Sequence, residues 1–118
     1  DALTGNKAYD LASLIDDVRL KKSLKLKNII YQYYIKKNKK KIDQNLFKND
    51  FDILSVLRNL KIIGIFSRLS IRDNKKRYLK LIPYTWSLID LRMKSNPIFK
   101  DLKKILDEFF PTKLRKEI

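Results

Sequence analysis

Apolar positions recur along the chain at intervals of three and four, the spacing that brings side chains onto one face of an α-helix. From Ala8 the stretch AYDLASLIDDV sets Leu11, Leu14, Ile15 and Val18 on one stripe and predicts a short helix over 8–18, preceded by a loop over 1–7 that holds Gly5. A second stripe, Leu26, Ile29, Ile30, Tyr33 and Tyr34, predicts an amphipathic helix over 25–38, closed by the charge run KKNKKK. After a lead-in over 43–49, the segment from about 50 to 71 carries Phe51, Ile53, Leu54, Val56, Leu57, Leu60, Ile62, Ile63, Ile65, Phe66, Leu69 and Ile71, which cover most of a helix circumference. A helix that is apolar nearly all round is expected to be buried, so this one is read as the central element of the core. Gly64 in its middle costs about 1 kcal/mol relative to Ala, which close approach of another backbone would explain.

The remainder follows the same logic. Asp73 and Asn74 signal a turn over 72–76, and a short segment over 77–81 leads to Pro83, which suits the first turn of a helix from 82 to about 93 with Trp86, Ile89 and Met93 inward. Ser95, Asn96 and Pro97 break the pattern before a last helix over 98–110, in which Phe99, Leu102, Ile105, Leu106, Phe109 and Phe110 repeat. Pro111 stops it and a basic tail frays beyond. No strand-length alternation occurs. The reading is all-α: about five helices around one buried central helix, in a single domain over 1–118.

Charge changes this picture only in part. The 28 Lys and Arg outnumber 13 Asp and Glu, for a net charge of +15, and such an excess invites a phosphate-binding reading. Yet 21 of the 28 are Lys, in a chain also rich in Ile and Asn, as AT-rich coding would produce, and they are spread over every polar face. A solvated surface is therefore the expectation, with no specific nucleic acid as partner; a small basic α-helical module that binds nucleic acid or an acidic protein is the alternative. On the long helix Arg58, Lys61, Arg68 and Arg72 share one narrow sector. They form either a solvated edge, the usual place for cations, or the wall of a cleft that faces an anionic or polyhydroxylated ligand.

Residue types limit the chemistry. With no Cys and no His there is no thiolate, disulfide or imidazole. No phosphate-binding glycine loop, zinc spacing or nucleophile elbow is present. Asp16 and Asp17 are sequence neighbours that a helix points about 100° apart, and they read as surface and cap charges. Asp10 falls in the first turn of its predicted helix, where a carboxylate favours the dipole. No catalytic residue and no metal ligand is assigned. The chain opens on Asp1 without a signal-like segment and contains no membrane-spanning run, so a truncated, cytoplasmic protein with no membrane partner is expected.

Two stretches add a resemblance. DALTGNKAYDLASLIDD, over 1–17, resembles the segment after the metal-binding aspartate in the aminoglycoside phosphotransferase family, where an acidic loop leads into a Y-D-L-A helix. RNLKIIGIFSRL, over 58–69, and RDNKKRYLKLIP, over 72–83, are similar to the C-terminal lobe of one bacterial branch of that family, the kinases that phosphorylate N-acetylmuramate and N-acetylglucosamine at the anomeric hydroxyl. The resemblance implies a protein-kinase-like fold of which this chain is the C-terminal helical, substrate-binding part, with the nucleotide-binding lobe and catalytic loop upstream of Asp1. It implies ATP and Mg²⁺ as cofactors of the full-length parent, an amino sugar or another small hydroxylated acceptor, and no activity for the fragment alone. By the same resemblance Arg58 and Asn59 line the sugar pocket with Arg68 on the same seam, while Asp10 supports the catalytic loop and Asp1 the metal loop. Leu57 departs from the pattern, which leads one to expect a polar residue there. An exposed apolar face around Leu3 and Tyr9, left by the missing lobe, would favour self-association.

Overall fold

The computed structural model describes residues 2–72, 76–111 and 115, with the side chains of 2–6, 76 and 78 outside that description. The described residues form five α-helices and two 3₁₀ segments and contain no strand, in accord with the all-α expectation. They divide into two compact units, Asp1–Ser55 and Val56–Ile118, and the division falls within the longest helix.

The first unit holds α1 (Ala2–Ile15), α2 (Leu24–Lys37) and the first part of α3 (Gln44–Arg72). Ala8, Leu11, Ala12 and Ile15 occupy successive turns of one face of α1 and bury against Ile35 of α2 and against Phe47 and Phe51 of α3. Aromatic rings fill the centre: Tyr31 meets Phe51 edge-on at 5.1 Å, and Tyr34 stacks on Phe47 at 5.5 Å. Ser23 caps α2 by accepting the Leu26 N–H at 3.1 Å, and Asp43 caps α3 by accepting the N–H groups of Asn45 and Leu46.

Three expectations change in this unit. α1 begins at Ala2, not at 8, so the stretch read as a loop is helical and Asp10 lies well inside the helix, away from the first turn. α2 is turned relative to the predicted stripe. Of that stripe Ile30 and Tyr34 pack on the core, beside Lys27, Tyr31 and Ile35, while Leu26, Ile29 and Tyr33 are exposed. Asp16 and Asp17 also part company. Asp17 stays near the surface and accepts the Arg19 backbone N–H at 2.8 Å, whereas Asp16 is 0% exposed. The Asp16 carboxylate accepts Lys27 Nζ at 2.9 Å and Ser55 Oγ at 2.6 Å, joining the end of α1, the first turn of α2 and α3. A second enclosed carboxylate, Asp52, is held by Lys48 Nζ at 2.6 Å one helical turn away.

The second unit holds the rest of α3, a 3₁₀ segment (Lys76–Leu81), α4 (Ile82–Lys94), a 3₁₀ turn (Pro97–Phe99) and α5 (Lys100–Phe109). Val56, Ile82, Trp86, Leu88, Ile89, Met93, Phe99 and Leu106 are buried, and Trp86, Ile89 and Met93 are the inner face predicted for α4. Pro83 sits in the first turn of α4 as expected. Asn96 accepts the Ile98 N–H at 3.1 Å, so the last helix starts as a 3₁₀ turn before continuing as α5. Half of the predicted last-helix stripe is not core: Ile105, Phe109 and Phe110 are exposed, Leu102 is half-buried, and Phe99 and Leu106 carry the packing. The tail is not wholly frayed. Arg115 is buried, donates to Asp90 at 2.9 Å and to Asp107 at 3.1 Å, and lies 4.5 Å over the Trp86 ring.

The long helix is less enclosed than its composition predicts. Beyond Val56 its apolar side chains are half-buried at best, Leu57 is 55% exposed and Ile71 is 85% exposed. The turn predicted over 72–76 falls largely on residues 73–75, which lie outside the described set, and Lys76 already belongs to the 3₁₀ segment. Gly64 is exposed, and a Cβ built there meets no atom within 4 Å. No backbone approaches it among the described residues, which removes the reason inferred for the glycine.

Two outcomes follow for stability. Gly64→Ala should stabilise the protein by about 1 kcal/mol, since the alanine gains helix propensity and meets no clash, seen as a rise in Tm of roughly 4 °C. Lys27→Met should destabilise it by about 3 kcal/mol in urea unfolding because the enclosed Asp16 carboxylate loses its counter-charge, and adding Asp16→Asn should recover part of that loss.

Candidate functional site

Buried polar groups in the second unit are, with one exception, visibly satisfied where their partners can be named. Thr85 Oγ1 donates to the Leu81 carbonyl at 2.7 Å and Ser70 Oγ to the Ser67 carbonyl at 2.9 Å, the local bonds that let hydroxyls sit inside helices. Arg115 spends its guanidinium on two carboxylates. The exception is Asn59. It is 0% exposed, and neither its Oδ1 nor its Nδ2 has a hydrogen-bond partner. Beside it Arg58 is half-buried, and its Nη1 is likewise enclosed and unpartnered. Each such atom costs about 1–3 kcal/mol against its hydrated state, so three in two adjacent residues are a concentration that requires an explanation.

The geometry separates the basic seam into two kinds of residue. Lys61, Arg68 and Arg72 are exposed, as a solvated edge would be. Arg58 alone of the four has an enclosed nitrogen. Among the described residues no carboxylate lies within ion-pair distance of it, in contrast to Arg19 beside Asp17 and Arg115 beside Asp90 and Asp107. Arg58 and Asn59 thus hold unpaired donors and one unpaired acceptor, with no neutralising anion among the described residues.

Asp10 belongs to the first unit. Its carboxylate is exposed and lines a shallow open cavity of about 270 Å³ with Lys7, Leu11, Leu14 and Tyr34. Burial pushes the Tyr34 hydroxyl above its ordinary pKa, and the charge of Asp10 adds to that shift. No hydrogen bond to Asp10 occurs among the described residues, which leaves the carboxylate available to a further partner. Asp1 and the Leu3 side chain lie outside the described residues. Periodicity did not distinguish Asn59, since a lone Asn on an apolar helix gives none; the resemblance named it, and its enclosure sets it apart in the structure.

A larger open cavity of about 640 Å³ is bordered by Asp90, Lys94, Lys103, Asp107, Pro111 and Arg115. Apart from Lys94, its charges are mutually engaged. Lys103 donates to Asp107 at 2.6 Å and, with Arg115, holds that carboxylate below its ordinary range. The favourable contribution of Asp107 is therefore present above the ordinary carboxylate pKa and lost on acidification through the lowered one. Among the described residues no group of three or more acidic side chains could hold a metal ion, and no helix is long and apolar enough to cross a membrane.

If the enclosed amide is kept for a ligand at the expense of the fold, Asn59→Leu, which removes both unpaired atoms at similar volume, should raise the unfolding free energy by about 1–2 kcal/mol. Urea unfolding of the two proteins measures it, and a loss of stability would show that the amide already serves the folded state.

No protein-family model matches the chain, and no solved structure does. Curated sequences do. Over 116 residues the chain is 30% identical to N-acetylmuramate/N-acetylglucosamine kinase of Caulobacter vibrioides, an alignment that takes in 98% of this chain and 31% of that protein. It is 36% identical over 62 residues to the protein of the same name from Pseudomonas putida, covering 52% of this chain and 18% of the relative. The Pseudomonas aeruginosa protein is 36% identical over 55 residues, 47% of this chain and 16% of the relative. The chain spans at most about a third of the length of these relatives. It is a homologue of proteins named N-acetylmuramate/N-acetylglucosamine kinase.

Proposed function

We propose that this chain is the C-terminal helical, acceptor-binding portion of an ATP- and Mg²⁺-dependent kinase of the aminoglycoside phosphotransferase type, acting in the cytoplasm on the anomeric hydroxyl of a cell-wall amino sugar. The observation that carries the reading is the match to the Caulobacter vibrioides kinase, which runs through 98% of the chain. Arg58 and Asn59, which the resemblance sets at the sugar pocket, are the candidates for holding the acceptor. Arg68, solvent-facing on the same seam, is the outer candidate for the acceptor.

Phosphoryl transfer requires a nucleotide, charge neutralisation at the phosphates and a base that orients the acceptor hydroxyl. In this reading metal, nucleotide and catalytic base belong to other parts of a longer protein. What this chain contributes is placement. Arg58 and Asn59 fix the sugar, which lowers the entropic part of the barrier. Asp10, exposed at a groove and without an internal partner, is suited to accept backbone N–H groups of a neighbouring loop.

The full-length protein, incubated with ATP, Mg²⁺ and N-acetylmuramate or N-acetylglucosamine, is expected to form the sugar 1-phosphate, while the isolated 118-residue chain forms none. Absence of product from the full-length protein would overturn the reading, and turnover by the isolated chain would refute the division of labour. Arg58→Ala in the full-length protein should raise KM for the sugar by about tenfold, the value of one charged hydrogen bond, and leave KM for ATP far less affected.

A further inference from the structure

A helix need not span a bilayer to bind one. No described helix is long and apolar enough to cross a membrane, but a helix with an apolar stripe between basic flanks seats itself in the plane of the headgroups. We infer that the outward face of α2 is a docking surface for an anionic lipid membrane.

The stripe is made of residues that the apolar pattern alone sends inward. Leu26, Ile29 and Tyr33 follow one another at three and four residues and are 43%, 55% and 62% exposed. The bond from Lys27 to Asp16 holds the opposite side of the helix against the core and leaves these three facing out. Leu24, at the head of α2, is exposed as well. Contiguous apolar surface of this kind marks a place where something else binds.

Charge selects the occupant. Ten of the 23 residues from Arg19 to Lys41 are Lys or Arg, and none is Asp or Glu. Arg19 and Lys27 reach Asp17 and Asp16, but Lys25, Lys36, Lys39 and Lys40 are exposed and form no ion pair among the described residues. Helical spacing sets Lys25 and Lys36 along one side of the stripe and Lys37, whose Nζ lies 5.5 Å from the Tyr33 ring, along the other. A second copy of this face would meet its own positive field and be repelled. An anionic lipid surface attracts the cations, takes the apolar side chains below its headgroups and suits an amphipathic tyrosine at the boundary. An acidic protein would answer the charge, but docking on a helix takes a matching groove, whereas a fluid interface accepts a bare ridge. The exposed Ile105 and Phe109 of α5 lack this setting, because Asp101, Asp107 and Glu108 stand among them.

The test is sedimentation of the full-length protein, at physiological salt, with vesicles of phosphatidylcholine alone or mixed with phosphatidylglycerol. Partitioning should be about tenfold or more stronger onto the phosphatidylglycerol vesicles. Ile29→Asn combined with Tyr33→Ser keeps every charge in place and should weaken that binding about tenfold or more. Lys25→Gln combined with Lys36→Gln should weaken it to a similar degree, whereas Lys100→Gln combined with Lys104→Gln, an equal loss of exposed charge on α5, should change it far less. No preference for the anionic vesicles overturns the inference. An apolar double variant that binds like the wild type, or lysine pairs on α2 and α5 that count equally, overturns it too and leaves only the adsorption of a generic polycation. Capture by polyglutamate without vesicle binding overturns it in favour of an acidic protein. Should the apolar variant lose its helical circular dichroism, the comparison of the two lysine pairs decides the matter.

Discussion

The first unit is organised around a charge that water does not reach. Asp16 closes α1, and its fully enclosed carboxylate is shared by Lys27 at the start of α2 and Ser55 on α3. Such a pair adds little net stability over an apolar substitute, because removing two ions from water costs about as much as their attraction returns. Its effect is directional. The apolar face of α1 would tolerate some sliding of α2, but the lysine must arrive within 2.9 Å of one oxygen and the serine within 2.6 Å of the other. Hydrophobic burial drives the helices together; the ion pair fixes their register.

That constraint also explains where the sequence pattern misled. Reading α2 by its apolar residues alone sets Leu26, Ile29, Ile30, Tyr33 and Tyr34 inward, and of these only Ile30 and Tyr34 pack on the core. Lys27 lies about 100° away on the helix, and once it is drawn to Asp16 the inner face must be the one with Tyr31, Tyr34 and Ile35. Periodicity fixes which residues share a face, but not which of two apolar faces wins when a buried ion pair chooses. Some helix boundaries were legible: Pro83 and the break over 95–97 act as their chemistry predicts, whereas Ser23 and Asp43 are caps that the reading of the pattern does not include, and α3 starts at Gln44, within the predicted lead-in. The start of α1 was not legible either, because Gly5 and Asn6 are poor helix formers and sequence-local signals there point to a loop.

The candidate site was legible in one respect only. The Arg58–Asn59 pair emerged from a resemblance, not from the pattern of the helix, where charge spacing gathers Arg58 with Lys61, Arg68 and Arg72 as though the four were equivalent. Burial separates them. Three meet water and one has an enclosed nitrogen, next to an amide with no partner at all. Exposure of Leu57 between the enclosed Val56 and Asn59 reflects the same geometry: α3 in this region presents narrow, alternating faces, so a residue's neighbours in sequence say little about its surroundings.

The contact between Arg115 and Trp86 has an optical consequence. The chain has a single tryptophan, and its indole is buried with a guanidinium 4.5 Å above the ring and Phe110 at 5.6 Å. Emission from that one fluorophore therefore reports on whether the C-terminal arginine is seated between α4 and α5, which gives the second unit a built-in spectroscopic marker independent of anything that happens around Asp16.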